Sequence, residues 1–470
     1  MSDLDASWGV LAEVPQHVFR AYDIRGEADD KAVSPALAYA LGLAFGTEAK
    51  QANIESIVVG RDCRLSGEQL TSALIAGILQ TGCGVINVGM VPTPLVYFAT
   101  CTLPTDTGIM VTASHNPAHH NGFKMVLAGE TVSTAGVQAL YQRIVSRQFH
   151  QSEAPGTVTE HDIVPAYCDD VVDRIQLARP LKVVVDCGNG IAGRFVPDLY
   201  RRLGCDVVPL FCEVDGRFPN HHPDPTVLEN LQDLMRVVQQ QNADFGVAFD
   251  GDADRIGLVT EHGEVIWPDR QMLLFAEDVL SRHPGGTIVF DVKCSSTLPQ
   301  QIAAWGGRPV MSRTGHSLVK GRMRQEAAPL AGEMSGHIFF QSGWYGFDDG
   351  IYVGARLMQL LSEKSQSCAE VFAAFPSRVN TPELKVPMDE ALKSGFIERL
   401  AADTAWHDAT CVLIDGLRIE FADGWGLVRA SNTSSNLTLR FEGDTPQALQ
   451  RIQLAIYDAM RRIDSDIELP

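Results

Sequence analysis

The chain repeats one order of elements three times, and this repetition restricts its fold more than any other property. Glu55-Ser-Ile-Val-Val-Gly-Arg-Asp62 reads as a short strand ending on an acid, followed by a helical stretch to Gln80, the turn Gly82-Cys83-Gly84 and a second strand. Leu181-Lys-Val-Val-Val-Asp186 opens a second copy, which passes through a helix to Leu203-Gly204-Cys205-Asp206 and the strand Val207-Val-Pro-Leu-Phe211. A third runs from Thr287-Ile-Val-Phe-Asp291, through a helix from Leu298 to Trp305, to Gly306-Gly307 and Arg308-Pro-Val-Met311. Strand, helix, glycine turn and strand in succession is the pattern of a βαβ unit, so the expected class is α/β.

Each copy continues into one more apolar strand that stops at an unusual loop. Gly108-Ile-Met-Val111 meets Thr112-Ala-Ser-His-Asn-Pro117, Phe245-Gly-Val-Ala-Phe249 meets Asp250-Gly-Asp-Ala-Asp-Arg255, and Pro329-Leu-Ala331 meets Gly332-Glu-Met-Ser-Gly-His337. Loops beyond the carboxyl ends of strands are where open α/β sheets bind ligands. After Phe375-Pro376-Ser377 the pattern changes to the separate strands Leu384-Lys-Val-Pro387, Cys411-Val-Leu-Ile414 and Leu437-Thr-Leu-Arg-Phe441, with a closing helix from Thr445. We therefore expect three related α/β domains with mixed sheets and a smaller α+β C-terminal domain around a central cleft. Their expected spans are 1–162, 163–265, 266–377 and 378–470.

A chain of 470 residues is long enough for several such domains. Its 38 Lys plus Arg against 58 Asp plus Glu give a formal charge of −20, which opposes broad binding to nucleic acid or an anionic membrane. Any anion site must then be local. The first residues lack the basic region and apolar core of a signal peptide, and no apolar run is long enough to span a bilayer. Ten cysteines are scattered without a Cys-x-x-Cys pair, which points to reduced thiols in a cytoplasm.

Asp250, Asp252 and Asp254 place three carboxylates in five residues directly behind a buried strand. On an extended segment they project to one side and can converge oxygen ligands on a hard divalent ion; a solvated acidic loop is the alternative. With Glu261 they also occupy positions 1, 3, 5 and 12 of a calcium-binding EF-hand. Arg255 stands where that loop needs Gly and the flanks look like strands, which argues against an EF-hand, and three carboxylates with no Cys or His nearby suit Mg²⁺ better than zinc. Gly188-Asn-Gly190-Ile-Ala-Gly193 matches a dinucleotide-binding fingerprint, but a tight turn explains its glycines equally well. Ser114 has no G-x-S-x-G elbow around it, and the i, i+4 pair His115 and His119 is interrupted by Pro117. Glu333, Ser335 and His337 alternate as for a ligand rich in hydroxyls, and Arg429 with Ser431, Asn432, Thr433 and Ser434 offers the donors of a phosphate cradle.

Taken together, the segment from Phe19 to Gly26 and the loops holding Ser114, Asp250 to Arg255, Gly332 to His337 and Arg429 to Thr433 resemble the five signature loops of the phosphohexomutases. The resemblance is greatest to the bacterial phosphomannomutase/phosphoglucomutase group and spans nearly the whole chain. It implies a phosphorylated Ser114 in the resting enzyme, with Mg²⁺ held by Asp250, Asp252, Asp254 and a Ser114 phosphate oxygen. It places Arg25, Lys124 and Arg255 beside the transferring group, and Glu333 and Ser335 on the sugar's 3- and 4-hydroxyls. His316 and His337 become further sugar and proton-transfer contacts, while Tyr22, Lys293, Arg429, Ser431, Asn432 and Thr433 hold the non-reacting phosphate.

The implied reaction interconverts hexose 6-phosphate and hexose 1-phosphate, with a hexose 1,6-bisphosphate as intermediate and activator. A hinged fourth domain that closes on the ligand fits that scheme. Cys63 departs from the family by replacing a second Gly in Gly60-Arg-Asp-Cys-Arg64. Met334 stands where relatives acting on glucosamine phosphate have Gln, which favours mannose and glucose phosphates. The alternatives at this stage are a phosphoglucosamine mutase, an NAD-linked oxidoreductase and a calcium-binding module. The expected partners are hexose phosphates, and the expected state is a monomer, with a dimer as the alternative.

Overall fold

The computed structural model describes residues 8, 11, 13–403, 406, 408–431 and 435–470. These form two compact units, one of residues 1–271 with 335–372 and the other of residues 272–334 with 373–470.

The first unit holds two sheets. In the first, Ser56–Arg61 lies between two parallel neighbours, Gly84–Met90 and Gly108–Val111. The sheet extends through His120–Leu127, antiparallel to Gly108–Val111, and then Ile24–Glu27. The helices Pro35–Gln51 and Gly67–Gln80 cover it. The first starts where Ser34 accepts a hydrogen bond from the Leu37 amide, with proline at the first helical position. The two helices approach each other at glycines: a Cβ at Gly42 would sit 2.2 Å from the Leu74 carbonyl oxygen, and one at Gly77 2.2 Å from that of Tyr39. Gly77→Ala should therefore destabilise the chain by about 1–3 kcal/mol through overpacking. Gly395→Ala, in the helix Glu390–Ala401 with nothing within 4 Å, should instead stabilise by about 0.5–1 kcal/mol. Denaturant titration of both variants checks the contrast.

The second sheet repeats the plan. Lys182–Asp186 has Asp206–Leu210 and Phe245–Phe249 as parallel neighbours, and Ile256–Thr260 folds back antiparallel on the latter. Every residue of Phe245–Phe249 is buried, as a strand covered on both faces requires. The helix Gln232–Gln241 packs Leu234 and Val238 on one face. The helix Gly350–Ser362 packs against Phe245–Phe249 and Ile256–Thr260, capped where Asp349 accepts from the Tyr352 amide.

In the second unit, Thr287–Asp291 again has two parallel neighbours, Arg308–Ser312 and Leu330–Gly332. The C-terminal part is an antiparallel sheet in the order Val379–Asn380, Asn436–Gly443, Gly424–Ala430, Leu417–Phe421 and Thr410–Val412. Leu384–Pro387 also pairs with Asn436–Gly443. The helix Pro446–Ile463 buries Ala448, Ile452, Ile456, Ala459 and Met460, an apolar stripe at helical spacing, against this sheet. All three repeats read from the sequence are thus parallel three-strand cores with the first strand in the middle.

Candidate active site

In the first unit the loops after Gly108–Val111 and Phe245–Phe249 meet. Ser114, buried and at φ +50°, donates from Oγ to Asp250 Oδ2 at 2.6 Å. Gly251 permits this approach, because a Cβ there would stand 2.5 Å from the Ser114 carbonyl oxygen. Asp250, Asp252 and Asp254 are fully buried, and their ligand atoms lie within 4.8 Å of one another. Their convergence has a different origin from the extended segment expected: Ala253 sits at φ +59°, so the loop is a tight turn. It is fastened from three sides, its carbonyls accepting from the amides of Thr93 (3.0 Å), Ile191 (3.3 Å) and Gly350 (3.1 Å).

Lys124, on the strand His120–Leu127, donates to Asp252 Oδ2 at 2.7 Å and Asp254 Oδ2 at 2.5 Å. Arg255 directs Nε to His337 Nε2 at 3.2 Å and lies 3.8 Å from Asp250. His337 is 3.3 Å from Asp254 and, through Nδ1, 3.1 Å from Ser335 Oγ. Arg25 binds Asp23 at 2.5 Å and the Asn116 side chain of the serine loop at 3.0 Å. Tyr22 is buried in the bend ahead of Ile24–Glu27.

Burial first, and then the charges of Asp252 and Asp254, push Asp250 well above the ordinary carboxylate range. Burial also opposes ionisation of Asp252 and Asp254, but the Lys124 ammonium prevails and holds both below that range. The donors fit a hard divalent cation: three carboxylates converge without thiolates, and Asp252 Oδ1 is buried with no hydrogen-bond partner among the described residues.

The other motif readings resolve here. Strands, not helices, flank the acidic loop, and Glu261 accepts from the Ala369 amide at 3.0 Å, so no EF-hand forms. Gly188 to Gly193 leads into the short 3₁₀ segment Ile191–Arg194. A Cβ at Gly190 would meet the Gly251 carbonyl oxygen at 3.0 Å, and one at Gly193 the Cys212 carbonyl oxygen at 2.1 Å. These glycines make room for neighbouring backbone, including that of the acidic loop.

In the second unit, Lys293 donates to Glu383 at 2.6 Å and Arg429 to Asp415 at 3.0 Å. Asp415 also accepts from the Thr314 amide, and the Thr314 hydroxyl binds Asp291, which accepts from the Met334 amide at 3.1 Å. Glu333 is buried, and its charge adds to burial in raising Asp291, with Lys293 opposing. His316 begins the helix His316–Gln325. Ser431 is buried, its carbonyl accepting from Lys393 at 3.1 Å, while Asn432 and Thr433 lie outside the described residues.

Several participants went unread in the sequence. His115 Nδ1 lies 2.8 Å from Asp224, and burial, reinforced by Arg255, brings the imidazole down to about 4 despite that carboxylate. Asp62 and Arg64 hold the serine loop, and Asp291 and Asp415 order the second unit's loops. One signal was available: each repeat's first strand ends on an aspartate or is followed at once by one, Asp62, Asp186 or Asp291, and all three are fully buried.

Four successive segments match the phosphoglucomutase/phosphomannomutase alpha/beta/alpha domains I (residues 16–151), II (165–263) and III (267–379) and the C-terminal domain (383–459). The chain therefore belongs to the phosphoglucomutase/phosphomannomutase family of the α-D-phosphohexomutase superfamily, and it is a phosphohexomutase-type enzyme. It is 49% identical over 457 residues to a phosphomannomutase/phosphoglucomutase of Pseudomonas aeruginosa, covering 97% of this chain and 98% of that one. A phosphoglucomutase of Neisseria gonorrhoeae is 47% identical over 445 residues, covering 94% and 96%. The crystal structure of a family protein from Burkholderia thailandensis superposes with a TM-score of 0.92 at 46% identity, covering 97% of this chain and all of that one. Among the described residues no helix is long and apolar enough to cross a membrane.

Proposed function

We propose that the chain interconverts hexose 6-phosphate and hexose 1-phosphate, with mannose and glucose as the sugars, through phosphorylated Ser114 and a hexose 1,6-bisphosphate. The observation that carries this reading is the 2.6 Å contact of Ser114 Oγ with Asp250 inside a buried triad of carboxylates. A hydroxyl so placed is a phosphoryl carrier set beside a cation site. Asp250, Asp252 and Asp254, with an oxygen of the Ser114 phosphate, would hold Mg²⁺, which when bound neutralises charge on the phosphoryl group.

Phosphoryl transfer is mostly positioning and charge stabilisation, and the residues present suit both. In the forward half-reaction the P–O bond to Ser114 Oγ breaks as one forms to the sugar hydroxyl oxygen, the hydroxyl's proton passes to a neighbouring base, and the released Ser114 Oγ takes up a proton. Arg25, Lys124 and Arg255 stabilise the group in flight, and His337, between Ser335 and Asp254, is placed to move a proton. Glu333, Ser335 and His316 bind sugar hydroxyls. Tyr22, Lys293, Arg429, Ser431, Asn432 and Thr433 take the phosphate that does not react. Returning the other phosphate to Ser114 completes the cycle once the bisphosphate has turned over.

Ser114→Ala should lose the mass of one phosphoryl group carried by the purified wild-type chain and abolish turnover, as read by intact mass spectrometry and a coupled assay. Full activity in that variant would exclude the covalent route. Parallel assays on mannose, glucose and glucosamine phosphates, with and without a chelator, settle the sugar and the metal; preference for glucosamine phosphate would overturn the assignment based on Met334.

A further inference from the structure

We infer that Arg64, held by Asp62, is a positioning residue for phosphoryl transfer that acts only through the backbone of the serine loop. The inference rests on Ser114 being the phosphoryl carrier. Arg64 has five N–H donors, and all five are engaged. Nε meets Asp62 Oδ2 at 3.1 Å; Nη1 donates to the carbonyls of Pro117 (2.6 Å) and His120 (3.0 Å); Nη2 donates to those of Ser114 (2.7 Å) and Asn116 (2.6 Å). The Phe218 ring covers its guanidinium at 5.2 Å. Nothing remains with which to bind a phosphate, so this buried cation organises backbone instead.

Asp62 holds the other side of the same residue. Its Oδ1 accepts from the Arg64 amide at 2.9 Å, and its Oδ2 accepts from the Thr112 hydroxyl at 2.7 Å, whose oxygen in turn accepts from the Ser114 amide at 2.9 Å. Both peptide groups flanking Ser114 thus lead back to one carboxylate. Ser114 needs this support because its φ of +50° lies in the left-handed region, where a side chain crowds its own backbone. Without the clasp the loop relaxes and carries Oγ away from Asp250. Lysine cannot substitute, since three donors on one nitrogen cannot span four carbonyls and a carboxylate.

In the full-length chain, Arg64→Lys should lower kcat by about 10–10²-fold while KM for the hexose phosphate stays within about twofold, the signature of misplaced reacting atoms. Hydrogen exchange should accelerate in residues 113–120 and stay unchanged in residues 272–334. Arg64→Ala should recover part of its kcat when guanidinium ion is added. Unchanged kcat per folded molecule, or a raised KM at constant kcat, would overturn the inference. If Arg64→Lys does not fold, Asp62→Asn should show the same loss confined to kcat. If the wild-type chain carries no phosphate and turns over no hexose phosphate, the proposed function has failed instead. Exchange in 113–120 then still tests the clasp, and unaltered protection there refutes it.

Discussion

Asp252→Asn is expected to lower turnover by about 10²–10³-fold while the chain still folds, because the substitution removes an ionised ligand from where charge must be neutralised. Asp252 is well placed to show this. Its Oδ2 accepts from Thr93 at 2.6 Å and Lys124 at 2.7 Å, and its Oδ1 is left with no partner among the described residues. Asparagine keeps the shape and loses the charge. Loss of attraction to Lys124 and relief of repulsion from Asp250 and Asp254 work in opposite directions, so stability should change by only about 1 kcal/mol. In the wild-type chain Mg²⁺ at a hundredfold excess over its Kd should add about 2.7 kcal/mol to stability, and in the variant that gain should vanish. Turnover near the wild-type value, or an unfolded variant, would remove the metal role given to the triad.

Lys124→Met should destabilise the chain by about 3–5 kcal/mol. The ammonium is buried against Asp252 and Asp254, and methionine leaves those carboxylates without their nearest positive charge. Burial then prevails, the acids take up protons, and the variant should recover stability as pH falls. The sign follows from the directions seen here: carboxylates held low by Lys124 contribute stability that is present at neutral pH and lost as they protonate. Denaturant midpoints for both chains between pH 5 and 8 test this. Addition of Mg²⁺ should restore part of the loss in the variant, and a variant as stable as wild type would show that the pairing is not what keeps Asp252 and Asp254 ionised.

Much of the site was legible because its residues sit at chain positions with a geometric meaning. Ser114 and the acidic triplet each follow a buried strand within a βαβ repeat, and the ends of strands in such sheets carry ligand loops. The repeats themselves were visible because strand and helix periodicities are local. What stayed hidden depends on pairs distant along the chain. Arg64 is only the last residue of Gly60-Arg-Asp-Cys-Arg64 until its guanidinium is seen among the carbonyls of Ser114, Asn116 and Pro117. His115 reads as a loop histidine until Asp224 is found beside it, and the glycines from Gly188 to Gly193 imitate a nucleotide loop until the backbone they admit is seen.

The sequence alone determined the elements, their threefold order and the residue types available for phosphoryl chemistry, since each follows from local pattern and side-chain chemistry. Only the tertiary structure decided which charges meet. It brings Lys124 rather than Arg255 into closest contact with the carboxylates, turns the acidic loop through Ala253, and engages every donor of Arg64 so that none remains for a phosphate. The physical reason is that ionisation and hydrogen bonding in a buried site depend on distances of a few ångströms between residues far apart in the chain.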